Sequence, residues 1–89
     1  MSNFVLVHHK VKDYSQWKHG YESHRPKRAE AGLAEKYILR DADDPNDVTV
    51  LFDADNLDKA KRFAESADLR QTMEKYGVAG KPEIHYLHD

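Results

Sequence analysis

Apolar residues follow two rhythms along this chain. Phe4-Val5-Leu6-Val7-His8-His9-Lys10-Val11 is rich in β-branched and apolar side chains and too short for a core helix, so it reads as a strand. Asp13 then opens a helix: its carboxylate can cap, and Gln16 stands three positions on, at capping-box spacing. Tyr14, Trp17, Tyr21 and His24 recur at steps of three and four and therefore share one face. Gly20 and Pro26 interrupt it, at about 1 and about 3 kcal/mol in a helix interior. The helix is expected to kink or restart near Pro26, with Ser23 as a cap, and to end at Gly32.

A second strand spans roughly Leu33 to Asp41 and carries Tyr37, Ile38 and Leu39. Asp43-Asp44-Pro45-Asn46-Asp47 is turn chemistry, and Val48-Thr49-Val50-Leu51-Phe52 follows at once, so strands two and three form a hairpin. Asn56 caps a second helical region in which Leu57, Ala60 and Phe63 line one side. Ser66 restarts it, Leu69, Met73 and Tyr76 extend the stripe, and Gly77 stops it. Gly80 and Pro82 connect to a final strand, Glu83-Ile84-His85-Tyr86-Leu87. No internal repeat, linker or low-complexity stretch breaks the pattern.

The order is β-α-β-β-α-β over residues 1–89, expected as one domain of the α+β class. Two right-handed β-α-β halves give a four-stranded antiparallel sheet with the helices on one face. Such a sheet should alternate apolar and polar residues, yet these strands are apolar on both sides. Val5 and Val7 oppose Phe4 and Leu6; Val48, Val50 and Phe52 oppose Leu51; Ile84 and Tyr86 oppose Leu87. The helices cover one side only, leaving a patch larger than soluble monomers usually carry. A second copy related by a two-fold axis is the economical cover, so a homodimer is expected.

Composition narrows the partners. Charged residues make up 34% and hydrophobic residues 39%, as in a globular chain with a solvated exterior. A formal charge of −2 gives no general attraction to phosphate backbones or anionic lipid, and no nucleic acid or membrane partner is expected. The chain has no cysteine, which removes disulfides, thiolate catalysis, iron–sulfur clusters and cysteine-ligated zinc. Neither a leader-like start nor an apolar run near the ~20 residues of a membrane helix is present, so a cytoplasmic location is expected.

Several motifs together resemble a known group. They are Asp13-Tyr14-x-x-Trp17, His24-x-x-x-Arg28-x-x-x-Gly32, Arg40-Asp41-x-Asp43-Asp44-Pro45-Asn46 and Gly77-Val78-x-Gly80-x-Pro82. With the element order and length, they resemble small antibiotic-biosynthesis-monooxygenase-like proteins of the dimeric α/β-barrel superfamily, along nearly the whole chain. The resemblance implies a ferredoxin-like fold and a dimer. Members of that superfamily include cofactor-independent oxygenases acting on polycyclic aromatics, haem-degrading enzymes and muconolactone isomerases. The haem-degrading subgroup uses an axial histidine on the second helical region, and residues 57–76 contain none. No cofactor is expected.

Six histidines invite a search for chemistry. His8 and His9 are adjacent on a strand and face opposite sides; either could approach His85 across neighbouring strands one and four. No H-x-x-x-H pair exists, and His19 and His24 stand five apart, so no metal site is expected. The aspartates 41, 43, 44 and 47 lack a calcium-loop pattern and read as a solvated turn. The first helix carries more: Trp17, Tyr21, His24 and Arg28, spaced 4, 3 and 4, form one ridge. Rings can stack on a ligand, the arginine can hold an anion, and the histidine can move a proton. The bland reading makes the two rings core and the other two a solvated end.

Trp17, Tyr21, Tyr37 and His85 are therefore expected to line a ligand pocket, with His24 as acid/base and Arg28 as anion anchor. Two functions stay open. One is a cofactor-independent oxygenase, isomerase or cyclase acting on a small aromatic or carboxylated metabolite. The other is a non-catalytic dimer that binds a small molecule or partner in the same cavity.

Overall fold

A computed structural model describes residues 2–89; Met1, the first residue of the expected domain, lies outside the described residues. The order is β1 (Asn3–Val11), α1 (Tyr14–Ser23), α2 (Arg25–Glu30), β2 (Leu33–Arg40), β3 (Asp47–Ala54), α3 (Leu57–Ala64), α4 (Ala67–Lys75) and β4 (Val78–His88). The strands form one sheet in the order β2-β3-β1-β4, each neighbouring pair antiparallel. This is the α+β ferredoxin-like arrangement that the sequence predicts, including the β2–β3 hairpin and the β1–β4 neighbours.

Local chemistry explains the helix starts. Asp13, Asn56 and Ser66 each turn a side-chain oxygen onto the backbone N–H three residues on, at Gln16, Lys59 and Leu69. The expected break before Pro26 occurs, but Ser23 does not cap the restart. Its hydroxyl donates to the Gly20 carbonyl, and His24 occupies the junction with no side-chain cap bond. Pro26 lies in the first turn of α2, where a missing N–H breaks no intrahelical bond. Because the amides of Lys27 and Arg28 both donate to the His24 carbonyl, the two helices stay in near-continuous register across the break.

The last strand begins five residues earlier than expected, at Val78. Its pairing with β1 slips between His8 and Lys10, whose partners are Glu83 and Ala79. The extra residues form a bulge around Gly80, at φ +72°, and Pro82, which has no N–H to give the ladder. Glycine and proline suit a connection and a bulge for the same reason, the first by its positive φ and the second by its missing N–H.

One face of the sheet carries the core: Val5, Val7 and Val11 from β1 with Val48, Val50 and Phe52 from β3, packed against Trp17 of α1 and Ala60 of α3. Each fully buried aliphatic side chain contributes about 1.5–3 kcal/mol. Among the described residues no helix covers the opposite face. It presents Phe4, Leu6, Tyr37, Leu39, Leu51 and Leu87, of which Tyr37 and Leu39 are each 54% exposed and Leu87 42%. Among the described residues no helix is long and apolar enough to cross a membrane.

Candidate functional site

Between the covered face of the sheet and the four helices lies a cavity of about 80 Å3. β1 and β3 supply its floor through Val5, Val7, His9, Val50 and Phe52; the α1–α2 ridge supplies Trp17, Gly20, Tyr21, His24 and Arg28. Phe63 of α3 and Met73 of α4, with Tyr76 just beyond, close the remaining side. Ala64, Met73 and Ile84 are shared with a wider groove of about 730 Å3 between α4 and β4. The enclosed part is smaller than the roughly 300–1,000 Å3 of typical ligand pockets, so a larger ligand would extend towards that groove.

The ridge is an aromatic ladder. Trp17 is 5% exposed and stacks on Tyr21 with centroids 4.9 Å apart and planes 29° apart. Tyr21 in turn donates from its hydroxyl to Glu35 at 2.9 Å. Burial pushes the Tyr21 phenol well above its ordinary range, so it stays protonated at neutral pH. Arg28 lies with its guanidinium carbon 3.6 Å from the Tyr21 ring centre, and one nitrogen donates to the Tyr21 carbonyl. Among the described residues no carboxylate stands within ion-pair distance of Arg28, although its side chain is buried.

His24 sits at the α1–α2 junction with its ring stacked towards Phe63, centroids 6.0 Å apart. Its Nε2 is buried and has no hydrogen-bond partner. Burial lowers its pKa most, Asp68 partly opposes this, and Arg28 and Lys27 lower it further. The imidazole is therefore neutral near pH 7, with one nitrogen free to accept a proton.

His9 is the polar group in the floor. It is 5% exposed and lies 5.5 Å from Trp17, centroid to centroid. Neither ring nitrogen has a partner. Burial, reinforced by His8, lowers its pKa to about 4. Each unmet buried hydrogen bond costs about 1–3 kcal/mol, which is a large local deficit for a small domain.

The four ridge residues therefore meet in one cavity, as their spacing predicts. Tyr37 and His85, expected beside them, do not. Tyr37 pairs with Leu51 and His85 with Leu6, all on the uncovered face. A slip between Glu35 and Tyr37 resets the parity of β2 and turns Tyr37 outward. His8 faces the same way and engages Asp47 and Glu83 instead of pairing with His85. Among the described residues no group of three or more metal-ligating side chains converges.

Searches with the sequence match no family model and no curated protein. Solved structures do match. A candidate antibiotic biosynthesis monooxygenase of Bordetella bronchiseptica superposes with a TM-score of 0.77 at 19% identity, over 99% of this chain and 96% of that one. A second, from Caulobacter crescentus CB15, gives 0.72 at 18% identity, over 97% and 87%. This chain has the antibiotic-biosynthesis-monooxygenase-like fold. SnoaB, a cofactor-independent oxygenase from Streptomyces nogalater, shares that fold with a TM-score of 0.70 at 10% identity, over 99% and 94%.

Within this fold, the residues that sequence reasoning missed come mostly from the floor and far wall. His9 shares strand parity with Val5 and Val7, a signal that placed it on their face once that face was known to be the covered one. Tyr76 belongs to the apolar stripe Leu69, Met73 and Tyr76, and its ring lies against the backbone of Gly20. A Cβ built on Gly20 would sit 2.0 Å from the Tyr76 ring. That glycine lets α1 and the end of α4 close together over the cavity.

Proposed function

We propose that the protein is a cofactor-independent oxygenase for a small hydroxylated or carboxylated aromatic molecule, with His24 as the base and Arg28 holding the developing anion. The observation that carries this reading is the buried, unpartnered Nε2 of His24 in the cavity wall. A neutral imidazole there can take a proton from an acidic O–H or C–H of a ligand packed against Trp17 and Tyr21. The resulting anion is electron-rich and lies near the buried Arg28 charge, which among the described residues makes no ion pair with a carboxylate. Dioxygen is the oxidant. For a hydroquinone, dioxygen adds at a ring carbon of the anion, and the hydroperoxide so formed loses water, giving a hydroxyquinone that keeps one oxygen atom of dioxygen while water carries the other. An isomerase or cyclase would share the proton abstraction and omit the oxidant.

The working unit in this reading is a two-fold dimer joined through the uncovered sheet face. The exposed Tyr37, Leu39 and Leu87 and the apolar Phe4, Leu6 and Leu51 beside them support it. The small size of the enclosed chamber favours a second reading, a non-catalytic binder of a small molecule. An oxygen electrode separates the two. Hydroquinone-dependent oxygen uptake above the buffer rate that yields hydroxyquinone and no hydrogen peroxide, reduced at least tenfold in His24→Ala, supports the oxygenase. Saturable hydroquinone binding without uptake supports the binder.

A further inference from the structure

We propose that His9 is a ligand-binding residue, which receives a hydroxyl group of the ligand on the floor of the cavity. This rests on the cavity being a ligand site, as above, and adds the chemical class and the placement of what it holds.

A neutral imidazole has one N–H donor and one bare nitrogen acceptor. In His9 both are buried and both are unsatisfied by any protein group. The surroundings offer nothing to change that: Val48 is the β3 partner, and the nearest ring is Trp17. A buried polar side chain retained among apolar neighbours destabilises the fold unless something completes it. A phenol or enol hydroxyl can both donate and accept, so it meets either face of the ring, whichever tautomer is present.

The backbone points the same way. The slip in the β1–β4 pairing falls at His9, which has no β4 partner, while His8 and Lys10 on either side do. Bulges at sheet edges re-aim side chains beside functional sites. Here the bulge carries Gly80 in a left-handed conformation and Pro82, both suited to leaving the ladder open at one residue.

His9 on the sheet and His24 on the helices thus offer two polar points on different walls of a chamber that, Arg28 and Thr72 apart, is otherwise aromatic and aliphatic. A ligand that satisfies both carries a hydroxyl at one end and its acidic proton at the other, as hydroxyarenes with two oxygen substituents do.

Phenol and toluene test this, since they share shape and heavy-atom count and differ only in the hydroxyl. Binding is followed by the Trp17 indole N–H resonance in wild type, His9→Leu and His9→Gln. The phenol-to-toluene affinity ratio should fall about tenfold or more in His9→Leu, the worth of one good hydrogen bond, and recover at least partly in His9→Gln. Thermal unfolding of His9→Leu, which removes an unmet polar group, should occur at or above the wild-type temperature. If both probes bind and the ratio is unchanged in His9→Leu, the His9 proposal is overturned while the cavity remains a ligand site. If neither probe shifts Trp17 in wild type, the cavity reading fails and takes this one with it.

Discussion

Arg28 holds Tyr21 twice: its guanidinium covers the ring at 3.6 Å, and one of its nitrogens donates to the carbonyl of the same residue. The charge is desolvated, and burial lowers its pKa more than nearby Tyr21, Glu22 and Glu35 restore it. Reading the sequence alone makes Arg28 an anion anchor; the contacts make it a support for Tyr21 as well. A desolvated cation–π contact is worth about 2 kcal/mol, and a charged hydrogen bond a similar amount, partly offset by relief of the buried charge. Arg28→Ala should therefore destabilise the fold by about 2 kcal/mol, a fall of about 8–16 °C in melting temperature for a domain of this size. His24→Ala should cost less than half as much, since its buried Nε2 makes no hydrogen bond and only its packing on Phe63 is lost. Calorimetry on both variants checks the ranking, and equal losses would contradict it.

Gly20 and Tyr76 give a case in which helix propensity and packing disagree. In an exposed helix interior, Gly→Ala stabilises by about 1 kcal/mol. Here the new methyl would enter the Tyr76 ring, 2.0 Å from its first carbon. Overpacking of this kind costs about 1–3 kcal/mol. Gly20→Ala should be destabilising, and Gly20→Ala combined with Tyr76→Ala should be more stable than the sum of the single changes predicts. A double-mutant cycle by denaturant unfolding reads the coupling directly.

Much of this was legible because local rules and the global fold agree. Asp13, Asn56, Ser66 and Gly77 announce helix limits through caps and a left-handed glycine, and each does so where expected. The Trp17–Arg28 ridge survives a helix break because the His24 carbonyl accepts from both Lys27 and Arg28. The errors lie where strand parity depends on non-local pairing. The slip near Lys36 turned Tyr37 to the wrong face, and nothing in the residues 33–40 marks it. His85 shares parity with Leu87, so its placement followed only from learning which face the helices cover. His9 was missed for the same reason.

Stability should depend on pH through the two cavity histidines. An unfolded imidazole titrates near 6.5, whereas folded His9 resists protonation down to about 4, and burial depresses His24 too. Between those values the unfolded chain binds the extra proton, so stability is complete above about pH 6.5 and declines as pH falls towards 4. For His9 alone the loss between pH 7 and pH 5 is about 2 kcal/mol. His8 acts in the opposite sense, because hydrogen bonds to Asp47 and Glu83 raise its pKa, and its contribution is lost as pH rises through the folded value. Its exposure keeps that contribution small. Urea unfolding at both pH values should show wild type losing about 2 kcal/mol more than His9→Leu on acidification. Parallel profiles would mean that His9 is not held neutral.

Leu51 occupies the middle of the uncovered face, opposite Tyr37 on one side and Leu6 on the other. Its neighbours Val50 and Phe52 point into the core, so a change at Leu51 leaves the cavity side of β3 untouched. If that face joins two copies, Leu51→Asp places a carboxylate from each copy in the apolar middle of the seam, near the two-fold axis. Desolvation and like-charge repulsion then act together, several kcal/mol against association. Sedimentation at micromolar concentration should give wild type at about twice 10.3 kDa and Leu51→Asp at 10.3 kDa. The monomer should also melt lower, because stability drawn from association is lost with it. A wild-type particle of 10.3 kDa would remove the dimer and leave the exposed Tyr37, Leu39 and Leu87 without a role.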